Sequence, residues 1–348
     1  MSVLEKDIEE LSKRATFLTE LENSSVLITG STGLIGSIIA KTLLKRGNIK
    51  VYAACRNQKK FDTVFQDYKT SNLIPLFADI LNLNISSLNI DYIIHGASIT
   101  DSKTFVEKPV ETLSIAIDGT RNLLKQCIGK PIKGFVYLSS LEVYGTFKEF
   151  DGIKNVLESD AGYIDSMSVR SSYSEGKRIV ETICKSYMSE YKVPVKVVRL
   201  CQTFGAGVDY TDNRVFAQFA RAVIENKNIV LKTKGETVRN YCYTTDAAAG
   251  ILTVLLNGCA GEAYNIANMK TTISIVDMAK LVCSLFPESK SQVVFDIAED
   301  ATKLGYNPIV KLQLDSSKLE ALGWQAHISL NEMFIRLINY MKESELSL

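Results

Sequence analysis

A glycine-rich segment near the start of the chain restricts the fold more than any other feature of the sequence. Gly30, Gly33 and Gly36 lie between an apolar run at 25–29 and an apolar, helix-like stretch at 34–46. In this order the first glycine allows a tight turn, the second lets the backbone approach a pyrophosphate, and the third lets strand and helix pack closely. The context favours a dinucleotide-binding unit over a purely structural turn, because the start of the helix offers free N–H groups to phosphates. The predicted contacts in this loop are Gly30, Thr32, Gly33, Leu34, Ile35 and Gly36.

Strand and helix patterns alternate over the first 200 residues. The predicted buried strands are 25–29, 49–54, 73–77, 91–94, 133–138 and 195–200. The predicted helices between them are 34–46, 58–69, 103–129 and 173–191. Such alternation predicts an α/β fold with a Rossmann-type doubly wound parallel sheet.

The pattern loosens after residue 200, where shorter strands separate the helices. Helices are predicted at 213–227, 246–256, 274–286, 315–322 and 329–343, with strands near 229–232, 262–266 and 292–296. Apolar spacing within 3–22 predicts one further helix before the first strand. We therefore expect an N-terminal helix (1–23), an NAD(P)-binding Rossmann domain (24–200) and a smaller C-terminal substrate lobe (201–348) interleaved with the last sheet strands.

The composition narrows the possible partners. The formal net charge is +1, so neither nucleic acid nor a membrane surface is an expected partner. Seven scattered cysteines without a C-x-x-C pair indicate reduced thiols, and the two histidines exclude a histidine-rich metal site, so no metal is expected. The first residues lack the apolar core of a signal peptide, and no apolar run of about 18 residues occurs, so we expect a soluble, cytoplasmic protein.

The ends of the second and third strands bear on which dinucleotide binds. A carboxylate after the second strand would bind the ribose 2′-hydroxyl of NAD and repel the 2′-phosphate of NADP. The chain has Arg56 there, followed by Lys59 and Lys60, which favours NADP; a solvated basic helix start, with NAD bound, is the alternative. Asp79 is expected to bind the adenine amino group or to cap the next turn, and His95 is expected to be structural. The other expected cofactor contacts are Asn57, Ile80, Ala97, Ser98 and Leu138.

A tyrosine and a lysine one helical turn apart point to redox chemistry on a bound nicotinamide. Tyr173 and Lys177 have i, i+4 spacing on a predicted helix. A phenol is a poor base at pH 7, and a nearby ammonium is expected to lower its pKa while binding the nicotinamide ribose. Upstream, a buried strand runs into the polar turn at 139–145, where the Ser140 hydroxyl can share the proton of a reacting alcohol.

These residues resemble the extended short-chain dehydrogenase/reductase family, whose members act on nucleoside-diphosphate sugars. The resemblance covers about residues 24–345 and rests on the glycine loop, the turn at 139–145 and the pair Tyr173 and Lys177. Around Tyr173 the sequence is most similar to the UDP-glucuronate decarboxylases. The other matching segments are Arg199-Leu200-Cys201-Gln202-Thr203-Phe204-Gly205, Asp212-Asn213-Arg214-Val215, Thr237 to Asp246, and Leu322-Gly323-Trp324.

The resemblance implies a role for each matching residue. Ser140 would share the proton, Tyr173 would be the base, Lys177 would bind the ribose, and Arg239 would bind the substrate pyrophosphate. Helices equivalent to those predicted at 103–129 and 173–191 pair between subunits in this family, so a homodimer is implied. The implied substrate contacts are Thr100, Gln202, Arg214, Val215 and Arg239.

Four positions depart from the family pattern. Gln202 stands where the family usually has an Asn that touches the sugar nucleotide, and Ala116 replaces an Asn often found in its helix. Leu141 replaces the Asp with which dTDP-glucose 4,6-dehydratases protonate the leaving group. The segment 303–311 lacks the family's second phosphate-binding arginine.

Three functions fit these residues. The first is an epimerase/dehydratase-type enzyme that oxidises a nucleoside-diphosphate sugar at C4. In it Glu142 would act on a carbon-bound proton, unless this side chain only bonds local backbone. The second is an NADPH-dependent reductase of a nucleotide-linked keto or aldehydo sugar. The third is a non-catalytic dinucleotide sensor, which the retained Tyr173, Lys177 and Ser140 disfavour.

Overall fold

The apolar runs of the sequence form a parallel central sheet. The computed structural model describes residues 1–147, 152–298 and 309–345. The strands are, in chain order, β1 (Ser25–Thr29), β2 (Lys50–Cys55), β3 (Leu73–Phe77), β4 (Tyr92–His95), β5 (Gly134–Ser140), β6 (Lys154–Val156), β7 (Val195–Leu200), β8 (Gln202–Phe204), β9 (Ile229–Leu231), β10 (Val238–Tyr243), β11 (Ala263–Ile266), β12 (Asn268–Ser274), β13 (Val293–Phe295) and β14 (Leu312–Leu314). Seven of them form one sheet in the order β11-β7-β5-β4-β1-β2-β3, with every neighbouring pair parallel. This arrangement confirms the predicted Rossmann-type α/β fold.

Helices cover both faces of this sheet. They are α1 (Val3–Arg14), α2 (Leu34–Arg46), α3 (Gln58–Val64), α4 (Ser102–Glu107), α5 (Pro109–Cys127), α6 (Ser171–Tyr191), α7 (Val215–Ile224), α8 (Thr244–Asn257), α9 (Ile275–Leu285), α10 (Ser317–Glu320) and α11 (Leu330–Glu345). Because neighbouring strand residues point to opposite faces, Ile28 belongs to the core under α2 and α8, whereas Leu27 belongs to the core under α5 and α6. Among the described residues, no helix combines the length and the apolar character needed to cross a membrane.

A separate apolar core forms beyond residue 200. It is built mainly from α7, α9 and α11, beside a three-stranded sheet in the order β12-β10-β8. Between these elements the chain returns to the central sheet, where β11 pairs with β7. The strand pattern did not predict β8, β10 and β12, because polar residues such as Arg239 and Asn240 interrupt their apolar positions. The domain boundaries at residues 23 and 200 stay a prediction.

Two of the predicted helices are interrupted. The helix predicted at 103–129 is divided into α4 and α5 at Lys108, whose φ of −135° and ψ of 58° lie outside the helical region. Pro109 explains the break, because a proline disfavours helical geometry in the preceding residue and itself suits the first helical position. The N-terminal helix ends at Arg14, and a 3₁₀ helix, Thr16–Leu21, follows it.

Helices α5 and α6 pack against one face of the sheet and leave apolar side chains at the surface. Ile179 on α6 is 45% exposed, and Ile128 just after α5 is 41% exposed. Exposed isoleucines on α6 and at the end of α5 agree with the homodimer that the resemblance implies. The dimer stays a prediction.

Candidate active site

The predicted site residues meet in one cavity of about 600 Å³ at the carboxyl ends of the central strands. Those that line it are Gly30, Thr32, Gly33, Leu34, Ile35, Gly36, Arg56, Asp79, Ile80, Ala97, Ser98, Thr100, Leu138, Ser140, Glu142, Tyr173, Lys177, Gln202, Arg214 and Arg239. Two predicted residues do not line it. The Asn57 side chain instead caps α3 by accepting the Lys60 N–H at 2.9 Å. Val215 lines an adjoining cavity of about 270 Å³, which shares Gln202, Arg214 and Arg239 with the first.

The glycine loop leaves room for a ligand backbone rather than for side chains. Gly30 has a φ of +69°, and a Cβ there would lie 2.9 Å from the Gly96 carbonyl carbon. A Cβ on Gly36 would overlap the Gly30 carbonyl oxygen, so strand and helix pack closely only without it. Gly33 is the N-cap of α2 and supplies no side-chain cap to its first N–H groups. These features fit the pyrophosphate of a dinucleotide.

The adenosine end of the cavity combines a cation and an acid. Arg56 Nη1 lies 3.6 Å from Asp79 Oδ2, and 63% of the Arg56 side chain is exposed. Asp79 Oδ1 also accepts the Leu81 N–H at 3.0 Å, which is the turn cap expected as its alternative role. Lys60 lines the cavity beside Arg56, whereas Lys59 does not. Two of the three cations that follow β2, Arg56 and Lys60, therefore line the cavity.

Tyr173 lies in the first turn of α6 with its ring stacked on Phe105 of α4. The two ring centroids are 4.2 Å apart and the planes lie 10° from parallel. Burial raises the pKa of the Tyr173 phenol to about 12, although hydrogen bonding with Ser140 and the charge of Arg214 lower it. The expectation that Lys177 brings this pKa down is wrong here, because burial outweighs every lowering effect. The phenol is therefore protonated at neutral pH and becomes a base only after it ionises.

Lys177 is buried one turn further along α6. Its Nζ donates a hydrogen bond to the Leu138 carbonyl oxygen at 2.7 Å and lies 4.7 Å from the centre of the Tyr137 ring. Burial lowers the pKa of Lys177 to about 7, while the Glu181 carboxylate opposes this shift. The ammonium is consequently held near its titration point, where a small change in surroundings alters its charge.

Ser140 and Glu142 lie together in the turn after β5. Ser140 Oγ accepts the Glu142 N–H at 3.2 Å, and the Ser140 hydroxyl proton is available to the Tyr173 phenol oxygen, whose pKa it lowers. The Glu142 carboxylate makes no hydrogen bond or ion pair with any residue that the structure describes, so the local backbone bonding considered above does not occur. Its charge is close enough to raise the pKa of Tyr173. A carboxylate in this position is available to substrate.

Three further arginines, Arg170, Arg214 and Arg239, also line the cavity. Arg239 Nε is buried and has no hydrogen-bond partner among the described residues. Arg214 is paired with Asp212, with Nη2 and Oδ2 2.6 Å apart. Arg170, at the start of α6, lines the same cavity as Glu142 and has no hydrogen bond or ion pair within the described part of the chain. Two unpaired guanidinium groups therefore favour an anionic ligand here.

His95 has a structural role, as predicted. Thr120 Oγ1 donates to the Ala116 carbonyl oxygen and lies 2.9 Å from His95 Nε2, so it accepts the Nε2 proton. Thr29 Oγ1 lies 2.7 Å from Nδ1. Burial lowers the pKa of His95 to about 3, and the ring is neutral and has hydrogen-bond partners at both nitrogens.

The four departures from the family pattern have different surroundings. Leu141 is 6% exposed and lies in the core, so no acid replaces the missing Asp at that position. Ala116 faces Gly176 of α6, since a Cβ added to Gly176 would lie 3.8 Å from the Ala116 Cβ. Gln202 lines both cavities. Most of the segment 303–311 lies outside the described residues.

Sequence reasoning missed Phe105 and Arg170. Phe105 belongs to a stretch predicted as one long helix, so its position over Tyr173 depends on the break before Pro109. Arg170 lies three residues before Tyr173, just outside the motif that was recognised. Its position at the N-cap of a helix that carries two site residues was the signal available to find it.

Comparisons with known proteins agree with this geometry. The model of the NAD dependent epimerase/dehydratase family matches residues 26–267, well over half of the chain. UDP-glucuronic acid decarboxylase 1 of Xenopus tropicalis is 26% identical over 349 residues, 98% of this chain and 77% of that protein. The dTDP-D-glucose 4,6-dehydratase of Homo sapiens is 26% identical over 329 residues, 92% of this chain and 90% of that protein. The structure of UDP-glucuronic acid 4-epimerase from Bacillus cereus, in complex with UDP-glucuronic acid and NAD, has a TM-score of 0.77 and 23% identity over 92% of this chain and 99% of that one.

Proposed function

This chain belongs to the NAD dependent epimerase/dehydratase family, and we propose that it oxidises a nucleoside-diphosphate sugar at C4, with Tyr173 as the base. Membership confirms the resemblance seen in the motifs, and the chain is an enzyme of the short-chain dehydrogenase/reductase type that acts on nucleotide sugars. One observation carries the proposal: Tyr173, Ser140 and Lys177 share a cavity with a glycine loop that fits a pyrophosphate.

Oxidation of the sugar removes one hydrogen from C4 and one from its hydroxyl oxygen, and different groups accept them. A bound nicotinamide would accept the C4 hydrogen as hydride and return it after the sugar has changed. Tyr173, once ionised, takes the proton of the C4 hydroxyl, and the Ser140 hydroxyl, which also contacts Tyr173, donates a hydrogen bond to the same oxygen. The Lys177 ammonium binds a ribose hydroxyl in place of the Leu138 carbonyl oxygen.

We further propose that the sugar carries a carboxylate at C5. The unpaired Arg170 supplies a cation for it, and Leu141 offers no acid for loss of a hydroxyl group. Oxidation at C4 makes a β-keto acid, which releases CO₂ and leaves the electron pair of the broken bond in an enolate. A proton then joins C5, and the adjacent Glu142 carboxyl is the group available to deliver it. The Xenopus tropicalis relative, named a UDP-glucuronic acid decarboxylase, supports this substrate class.

The proposal is tested by supplying UDP-glucuronic acid, UDP-glucose and dTDP-glucose separately, each with NAD or NADP. A nucleotide-linked pentose and CO₂ from UDP-glucuronic acid is the expected result, detected by NMR and mass spectrometry. If only UDP-glucose or dTDP-glucose is turned over, the proposal that the sugar carries a carboxylate is wrong. Net consumption of NADPH with a keto-sugar nucleotide would favour the reductase, the second candidate, which the cations at the adenosine end support.

We propose that NADP(H) is preferred, because Arg56 and Lys60 face the cavity and no acid follows β2. Arg56→Asp is expected to weaken NADP binding by about 1–3 kcal/mol, the range for loss of a charge-assisted hydrogen bond, and to strengthen NAD binding. Titration calorimetry with both dinucleotides measures this. Lys59→Asp is the matched control, since it reverses a neighbouring charge outside the cavity. If the wild-type protein binds NAD tenfold more tightly than NADP, the proposed preference for NADP(H) is wrong.

Arg239 is proposed to bind the diphosphate of the substrate. Arg239→Ala is expected to raise KM for the sugar nucleotide by about tenfold or more, because a charge-assisted contact is shared by ground and transition states. The dinucleotide dissociation constant should stay within about twofold, and Arg239→Lys should recover part of the KM. An equal loss of both affinities would instead indicate that Arg239 supports the fold.

A further inference from the structure

A buried network lies directly behind the candidate catalytic residues. Glu181 follows Lys177 by one turn on α6, and only 14% of its side chain is exposed. Its Oε1 accepts the Ser139 hydroxyl proton at 2.6 Å, and its Oε2 lies 2.6 Å from Arg199 Nη2. Ser139 immediately precedes Ser140, so this carboxylate connects the catalytic helix to the strand that carries the catalytic turn.

Arg199 extends the network to the far end of that turn. Besides pairing with Glu181, it donates to the Tyr144 hydroxyl at 3.0 Å and to the Glu158 carbonyl oxygen at 2.8 Å. Tyr144 in turn donates to Asn265 Oδ1 on β11 at 2.6 Å. The turn that carries Ser140 and Glu142 is thus held at both ends by one Arg–Glu pair.

The same carboxylate follows Lys177 by four residues on α6, and its charge favours the ammonium form of Lys177. Tyr173 and Cys184 on α6 are near Lys177, and the Tyr137 ring on β5 contacts it. The positive charge of Lys177 also lowers the pKa of His95 on β4. His95 and the two tyrosines are neutral at pH 7, because burial shifts the pKa of each away from ionisation. Within the described part of the chain, Glu181 is therefore the carboxylate that favours a charged Lys177.

We propose that Glu181 is a positioning residue, which fixes α6 against the turn at Ser140 and keeps Lys177 charged for binding the dinucleotide. This inference rests on the proposed function only for the roles of Lys177 and Tyr173. Ser139 and Arg199 carry the positioning part, and the negative charge of Glu181 carries the electrostatic part.

Dinucleotide binding across pH 5.5 to 9 tests the electrostatic part without any sugar turnover. Binding should weaken as pH rises through the pKa of Lys177, because the charged donor is lost. Glu181→Gln keeps the size of the side chain but removes the charge, so the pKa of Lys177 falls and the weakening should begin about one pH unit lower. At pH 8 the variant should bind about tenfold more weakly than wild type, and at pH 5.5 equally well.

Two further variants separate charge from position. Glu175 is another acid on α6, and its Oε1 lies 3.9 Å from Arg178 Nη1. Glu175→Gln should therefore leave the dependence of dinucleotide binding on pH unchanged. Ser139→Ala keeps the Glu181 charge but removes the 2.6 Å hydrogen bond, so it should lower kcat by about three- to tenfold without moving the binding curve.

Each result decides one part. Coinciding curves for wild type and Glu181→Gln would overturn the electrostatic role, and an unchanged kcat in Ser139→Ala would overturn the positioning role. Wild-type protein that turns over no nucleotide sugar would refute the proposed function, while its binding curves would still decide the electrostatic role of Glu181. Should Glu181→Gln fail to fold, Ser139→Ala alone decides the positioning role.

Discussion

Replacing Tyr173 by Phe is expected to lower turnover by about 10² to 10⁴, the usual contribution of a general acid–base catalyst. The substitution keeps the ring and its stacking on Phe105, and it removes only the hydroxyl that we propose exchanges the proton of the C4 hydroxyl. Ser140→Ala should cost less, because water can partly replace a donor that points into the cavity. Steady-state kinetics with the substrate proposed above measures both, and dinucleotide affinity should remain within about threefold of wild type.

Tyr137→Phe is the matched control for this prediction. The Tyr137 hydroxyl is buried without a hydrogen-bond partner, although its ring lies 4.7 Å from Lys177 Nζ. Its removal should leave turnover nearly unchanged, since no hydrogen bond is lost. If Tyr173→Phe keeps more than a tenth of wild-type turnover, another group must take the proton of the C4 hydroxyl, and the base proposed here is wrong.

Local sequence chemistry was sufficient to predict the central sheet and the glycine loop. The run at 25–29 has an apolar centre, Val26-Leu27-Ile28, and is followed by glycines at the positions that the turn and the helix contact require, so strand, turn and helix each agree with the fold. The break at Lys108 was also present in the sequence, but the apolar spacing on both sides of Pro109 continued and concealed it. Strands β10 and β12 were missed because their polar residues are satisfied by tertiary contacts, such as Asn240 with Leu314.

The candidate site was predictable in its residue types but not in its electrostatics. The spacing of Tyr173 and Lys177 places both on one helix face, yet it says nothing about how deeply each is buried. Burial depends on Phe105 and the surrounding strands, and it moves the pKa of the phenol up to about 12 and that of the amine down to about 7. Glu181 on α6 opposes the lowering of the Lys177 pKa, and it is paired with Arg199 on β7. Such long-range pairs have no signal in local spacing.

Glu142→Gln is expected to separate redox chemistry from proton transfer at carbon. The variant keeps the shape of the side chain and loses the carboxyl group that we propose exchanges a carbon-bound proton, so turnover should fall by about 10² or more. Tyr173, Ser140 and Lys177 are untouched, and substrate should therefore still reduce the bound dinucleotide, visible as absorbance near 340 nm. In deuterated water the wild-type product should carry deuterium at C5, whereas the variant should form this labelled product far more slowly.

The deuterium label decides between mechanisms as well as between residues. Decarboxylation at C5 creates an enolate that must take a proton from the protein or from solvent, so every turnover fixes one deuterium at carbon. Simple epimerisation at C4, or reduction by NADPH, moves hydride alone and leaves the other carbon-bound hydrogens in place. Glu142→Asp, which keeps the carboxylate but withdraws it by one methylene, should label the product at an intermediate rate. Wild-type protein that turns over substrate without taking up deuterium would remove the role of Glu142, and the same result with UDP-glucuronic acid would exclude decarboxylation.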